Sequence, residues 1–80
     1  MNKDNIALWL KEQFGKACKV AFSKIESTDS IALFGIDSVV LVTIAVDLEE
    51  FLGKEIDPTI FYEFDTIEAL STYLIEEILN

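Results

Sequence analysis

Apolar positions recur at helical spacing along most of the chain. Ile6, Trp9, Leu10, Phe14 and Ala17 fall three or four residues apart, the period that gathers side chains on one face of a helix. Asp4 or Asn5 can cap the start by accepting a hydrogen bond from an exposed N–H. The pattern predicts a first helix over about residues 4–20. Gly15 weakens it by about 1 kcal/mol relative to Ala, which leaves its continuity open.

From about residue 21 to residue 36 the period is lost. Ser23, Ser27, Thr28, Asp29 and Ser30 are turn formers. Ile25, Ile31 and Phe34 are scattered among them as apolar anchors. The segment reads as a long loop pinned to the core, with room for one helical turn, and loops of this length in small domains are usually functional.

The apolar run Val39–Val46, broken only by Thr43, has the composition of a strand. Asp37 is a good N-cap, however, and the run continues through Leu48, Phe51 and Leu52 to a helix-stopping Gly53. Leu41, Ala45, Leu48 and Leu52 form one helical stripe. A second helix over about residues 38–52 follows, with more apolar residues than one stripe needs. Its late acids, Glu49 and Glu50, oppose the macrodipole. Pro58 suits the first turn of a short helix reaching about Phe64. Asp65 with Glu68 has the spacing of a capping box. Ile67, Leu70, Leu74 and Ile78 then carry the stripe of a last helix, over about residues 66–79. The whole reads as an all-α bundle of three main helices plus a short helix, with a long loop after helix one.

Eighty residues allow one domain, 1–80. No apolar stretch is long enough to span a bilayer, and the N-terminus lacks the apolar core of a signal peptide. A cytoplasmic location is expected, and one cysteine fits a reducing compartment. Net charge −9 argues against nucleic acid and anionic membranes as partners. The charge is uneven. Residues 1–34 hold five Lys and four acids, net +1, whereas residues 35–80 hold one Lys and eleven acids, net −10. That acidity either solvates an apolar chain or steers basic partners. The absence of histidine removes the commonest general base and transition-metal ligand, so no catalytic residue and no metal site is expected.

The segment Leu33-Phe34-Gly35-Ile36-Asp37-Ser38-Val39 resembles the attachment motif of acyl carrier proteins, usually written Leu-Gly-x-Asp-Ser-Leu. The resemblance covers about residues 25–78. Ile31 and Phe34 match apolar loop positions ahead of the motif, and Leu48-Glu49-Glu50-Phe51-Leu52-Gly53 is similar to the end of the family's second helix. It implies an acyl-carrier-like bundle in which Ser38 is esterified with 4′-phosphopantetheine by a phosphopantetheinyl transferase. The cofactor thiol then carries acyl intermediates as thioesters among enzymes such as an acyltransferase and a ketosynthase. It implies that Asp37 caps the helix and assists recognition. It also places Val39 and Val46 on the partner face beside Ser38, with Asp47 and Glu50 at its rim. The protein itself is then no enzyme and works as a monomer.

The segment Pro58-Thr59-Ile60-Phe61-Tyr62-Glu63-Phe64-Asp65-Thr66-Ile67-Glu68-Ala69-Leu70 resembles the tail of polyketide and nonribosomal peptide synthase carriers, with Asp65 in place of the usual proline. That favours polyketide or specialised-lipid biosynthesis over fatty-acid synthesis. Val39 in place of Leu, and Thr43 where fatty-acid carriers often have Glu, leave the partners' identity open. A chain running from Met1 to Asn80 mildly favours a free-standing protein. Two other readings use the same residues. A self-sufficient serine nucleophile needs a base, and without histidine only a desolvated lysine would serve. A helical interaction module would leave Ser38 unmodified and Asp37 a plain cap; independently of that choice, the alternative to a partner face is that Val39 and Val46 belong to the core. Trp9, Phe14, Phe61, Tyr62, Phe64 and Tyr73 read as core or half-buried packing, and Cys18 as a buried small apolar residue.

Ten net negative charges in residues 35–80 repel one another. Added salt should therefore raise the melting temperature, mostly by about 0.1 M, where screening acts over about 10 Å. A thermal melt that is flat or falls with salt would show that the geometry already relieves the repulsion.

Overall fold

The computed structural model describes residues 2–79. Helix α1 runs Lys3–Cys18, α2 Ser38–Leu52, α3 Ile60–Glu63 and α4 Ile67–Tyr73. Short 3₁₀ turns at Phe22–Lys24 and Ile31–Phe34 interrupt the long connection between α1 and α2. The last helix continues past α4 as a wider π-type stretch, Leu74–Ile78, in which the Leu79 N–H reaches back five residues to the Leu74 carbonyl at 2.9 Å. No strand forms among the described residues; the extended contact is an isolated antiparallel bridge between Ser30 and Thr66. The all-α bundle expected from the periodicity is the fold observed.

The ends of α1 differ from the expected 4–20. Its cap is Asn2, not Asp4 or Asn5. The Asn5 N–H donates to Asn2 Oδ1 at 2.9 Å, and the Asn2 N–H donates back to Asn5 Oδ1 at 3.2 Å. This reciprocal box satisfies two terminal donors, and Asn5 serves as its second half. Gly15 does not break the helix and is buried within it. Termination comes at Lys19, whose φ of 57° is left-handed. The Val20 N–H there reaches the Gly15 carbonyl at 2.9 Å, a Schellman-type closure. Ala17, near this end, is exposed and leaves the stripe.

Ile6, Leu10 and Phe14 of α1 are fully buried and face α4, where Ile67 and Leu70 are equally buried, as is Leu74 at the start of the π-type stretch. Ser71, buried among them, donates its hydroxyl to the Ile67 carbonyl at 2.7 Å, which satisfies the polar group. The Phe14 ring meets Phe34 at 5.6 Å and Phe61 edge-on at 5.8 Å between centroids. Trp9 stacks on Phe51 of α2 at 4.9 Å, and Phe64 stacks on Tyr73 at 4.5 Å. Tyr62 departs from the expectation for aromatics. It is exposed, because a four-residue helix that turns Ile60 and Phe61 inward must turn the next side chain out.

The expected bounds of α2, 38–52, match those observed. It buries Leu41, Ile44, Ala45 and Leu48; Leu52 is half-buried, and Ile44 joins the stripe. Gly53 closes the helix at φ 69°, where no Cβ clash arises and the requirement is the left-handed backbone alone. Glu49 is no idle acid. Its Oε1 accepts the N–H of buried Ile56 at 3.1 Å and ties down the chain leaving α2.

The start of the short helix also shifts. Pro58 lies outside α3, in a turn organised by Asp57, whose Oδ1 accepts the Thr59 N–H and hydroxyl, both at 2.9 Å. The Asp65–Glu68 box does not form. Thr66 caps α4 by accepting the Ala69 N–H at 3.1 Å. Glu68 instead pairs with Lys3 at 3.7 Å, an exposed contact of small energetic weight. Asp65 turns away to the α1–α2 connection. It accepts the Ser30 hydroxyl, the Ala32 N–H at 3.1 Å and, through its carbonyl, the Ile31 N–H at 2.6 Å. Cys18 is half-buried rather than buried, with Sγ 3.7 Å from the Phe34 carbonyl, and partial burial pushes its thiol pKa up.

Two carboxyls sit below their ordinary range. The Thr59 N–H and then its hydroxyl lower Asp57, and the Ser30 hydroxyl and then the Ala32 N–H lower Asp65. A depressed folded pKa contributes stability above the unfolded value that disappears as pH falls through the folded one. The wild type should therefore exceed the Asp57→Asn/Asp65→Asn variant in urea midpoint at about pH 7, and the gap should narrow as pH falls below about 4, the ordinary carboxylate value. A difference that persists unchanged into acid would show that the carboxylate charge contributes nothing.

Candidate functional site

The connection ends at Gly35, whose φ of 67° lets the chain leave the 3₁₀ turn. Ile36 is half-buried as an anchor, and Asp37 adopts extended backbone at φ −62°, ψ 144°. Asp37 then starts α2 twice over. Its Oδ1 accepts the Val39 N–H at 2.8 Å and its carbonyl accepts the Leu41 N–H at 3.0 Å. The N-cap expected of Asp37 is thus realised.

Ser38 is the first residue of α2 and is exposed. Its hydroxyl enters no hydrogen bond among the described residues. The first-turn N–H groups of Ser38 and Val40 have no acceptor within the helix. With the positive end of the dipole they favour an anion attached at this hydroxyl. Asp37 is the one acid immediately beside it, and its carboxylate is turned onto the Val39 N–H. A phosphodiester therefore fits here, outside the core and at a helix start.

One face of α2 continues from Ser38. Val39 is 71% exposed, Val42 46% and Val46 48%. Thr43 lies among them, its hydroxyl donating to the Val39 carbonyl at 3.1 Å. Asp47 and Glu50 are exposed further along. All six residues singled out in the sequence, Asp37, Ser38, Val39, Val46, Asp47 and Glu50, lie exposed on this one helix. Val39 and Val46 are not core residues.

Sequence reasoning passed over several exposed apolar side chains, among them Leu33 at 86%, Tyr62 at 68% and Val42. Val42 was findable, since it lies three residues from Val39 and four from Val46. Leu33 and Tyr62 carried no periodic signal. A groove also opens where the connection, the start of α2 and α3 meet, lined mainly by the apolar Ile31, Ile36, Leu41, Phe61 and Tyr62, with Asp65 also in its wall. A serine nucleophile finds no support. The chain has no histidine, and Lys54 lies beyond the far end of α2, about 22 Å of helix from Ser38.

Residues 8–74 match the family model described as "Phosphopantetheine attachment site". Among curated proteins, the chain is 32% identical over 69 residues to polyketide synthase PksL of Bacillus subtilis (strain 168), covering 86% of this chain and 2% of that protein. It is 37% identical over 71 residues to polyketide synthase PksM of the same organism, again covering 85% and 2%. The chain thus spans about 2% of the length of these relatives. Among solved structures, a free-standing peptidyl carrier protein from an uncharacterized Acinetobacter baumannii secondary metabolic pathway superposes with TM-score 0.89 at 27% identity, covering 96% of each chain. Family match, relatives and fold agree with the exposed serine at the start of α2: the chain belongs to the phosphopantetheine-attachment family of carrier proteins, whose members hold 4′-phosphopantetheine covalently on a serine.

Proposed function

We propose that Ser38 is the attachment point and that the protein carries acyl intermediates of a polyketide-type pathway in the cytoplasm. The observation that carries this reading is the exposed, uncommitted hydroxyl of Ser38 on the first residue of α2. When bound, the cofactor supplies a terminal thiol that forms thioesters. The chain's own residues position and present it. Asp37 fixes the start of α2 and so the direction in which the Ser38 oxygen points. The helix N-terminus stabilises the phosphodiester charge. The Asp37 carboxylate beside Ser38 is taken up by the Val39 N–H, so in this reading a separate phosphopantetheinyl transferase removes the serine proton and the protein is its substrate. The groove formed by Ile31, Ile36, Leu41, Phe61 and Tyr62 offers apolar surface next to that attachment point.

Ketosynthase and acyltransferase partners are proposed to meet the exposed face of α2. Val39, Val42 and Val46 make a small apolar centre, and Asp47 and Glu50 rim it. Such a surface suits brief encounters of a monomer, with acids steering Lys- or Arg-rich partners and valines supplying contact.

Incubation with a broad-specificity phosphopantetheinyl transferase and coenzyme A should add one phosphopantetheine by mass, mapped to Ser38. Ser38→Ala should abolish the gain with a stability change within about 0.5 kcal/mol, because the site is exposed. Loading of the alanine variant, or modification of another serine, sinks the reading.

Val46→Asp should leave helicity intact and weaken transfer to synthase partners. Asp47→Lys/Glu50→Lys should reduce the salt dependence of the association rate. Unchanged transfer by a folded Val46→Asp protein would move the partner face off α2.

A further inference from the structure

The connection that leads into Ser38 has little regular structure of its own, so what holds it decides how the serine is approached. Its contacts converge on one residue outside the motif. Asp65, in the turn between α3 and α4, lies 35 positions from Ser30 and 33 from Ala32. Its Oδ2 accepts the Ser30 hydroxyl, its Oδ1 accepts the Ala32 N–H at 3.1 Å, and its carbonyl accepts the Ile31 N–H at 2.6 Å. Three consecutive residues are thereby held by one.

The clamped residues are those that build the next turn. The Ser30 carbonyl accepts the Leu33 N–H at 3.1 Å, and the Ala32 carbonyl accepts the Gly35 N–H at 3.5 Å. Fixing Ser30 and Ala32 therefore fixes Ile31–Phe34. That turn buries Ile31 to 3% and lifts Leu33 to 86% exposure, five residues before Ser38. A leucine so exposed contributes nothing to the core. Held on a pinned backbone, it is an apolar contact whose ordering cost is met before any partner arrives.

We infer that Asp65 is a positioning residue for the loading of Ser38: it holds the Ser30–Phe34 turn so that Leu33 is presented to the phosphopantetheinyl transferase. This rests on Ser38 being the attachment site. Charge-assisted hydrogen bonds of this kind are stronger than neutral ones, and the carboxylate takes two of the three. Removing it leaves the Ile31 bond and the Glu68 N–H to Ser27 carbonyl bond at 3.0 Å, which keep the connection attached but looser.

The test is steady-state loading of the full chain by a broad-specificity phosphopantetheinyl transferase with coenzyme A, alongside amide exchange. Asp65→Ala and Ser30→Ala should raise KM for the carrier, with Asp65→Ala about tenfold lower in kcat/KM and kcat nearly unchanged. Asp65→Asn, which retains one of the two acceptor oxygens without the charge, should fall between Asp65→Ala and the wild type. Leu33→Ser should reproduce the KM effect with the clamp intact. Ala32 and Leu33 amides should exchange faster in Asp65→Ala, while Leu10 and Leu70 stay protected. A folded Asp65→Ala protein that loads at the wild-type KM overturns the inference, as does a Leu33→Ser protein that does so. If Asp65→Ala fails to fold, Ser30→Ala and Leu33→Ser carry the decision. A wild type that does not load at Ser38 instead overturns the proposed function, so the two failures are separable.

Discussion

Phe14 is the side chain on which the arrangement depends. It is fully buried on α1 and its ring meets Phe34, from the connection before the site, and Phe61, from α3. A large aromatic in such a place contributes about 3–5 kcal/mol. A small domain has only ~5–15 kcal/mol in total. Through Phe14 the segment leading to Ser38 is bound to the same core that holds the helices together. A chain of 80 residues has one core to use, and the approach to the serine is built directly onto it.

The second constraint falls on α2, which is apolar on both sides. Leu41, Ile44, Ala45 and Leu48 fill the core, whereas Val39, Val42 and Val46 face outward. Exposed valines this close together do not help folding and cost solvation. The acids of the same half of the chain keep such a surface soluble and can attract basic partners. Glu49 serves the structure by holding Ile56, while Asp47 and Glu50 are exposed at the surface. The helix is therefore framework on one face and exposed apolar surface on the other.

Much of this was legible in the residues. Asp37 and Gly53 bracket α2, and both caps are where side-chain chemistry and left-handed glycine put them. The motif around Ser38 carried its own identification, since Gly, Asp and Ser at that spacing end a loop and begin a helix. The errors lie where a local signal had a distant competitor. Asp65 and Glu68 have the spacing of a capping box, yet Ser30, Ile31 and Ala32 claim Asp65, and Thr66 caps α4 in its place. Asn2 was missed because Asp4 and Asn5 are equally good caps by type. Only the pairing of Asn2 with Asn5 selects the register.

Helix order, the position of the exposed serine and the uneven charge followed from the sequence, because each rests on contacts within a few residues or on counting. That the valines of α2 stay exposed, that Tyr62 and Leu33 do too, and what holds the connection required the tertiary structure. These depend on residues more than thirty positions apart meeting across the bundle, as Asp65 meets Ser30 and Ala32. Periodicity reports the face a helix will bury. It does not report which partner arrives to bury it, and that partner decides what is left for the surface.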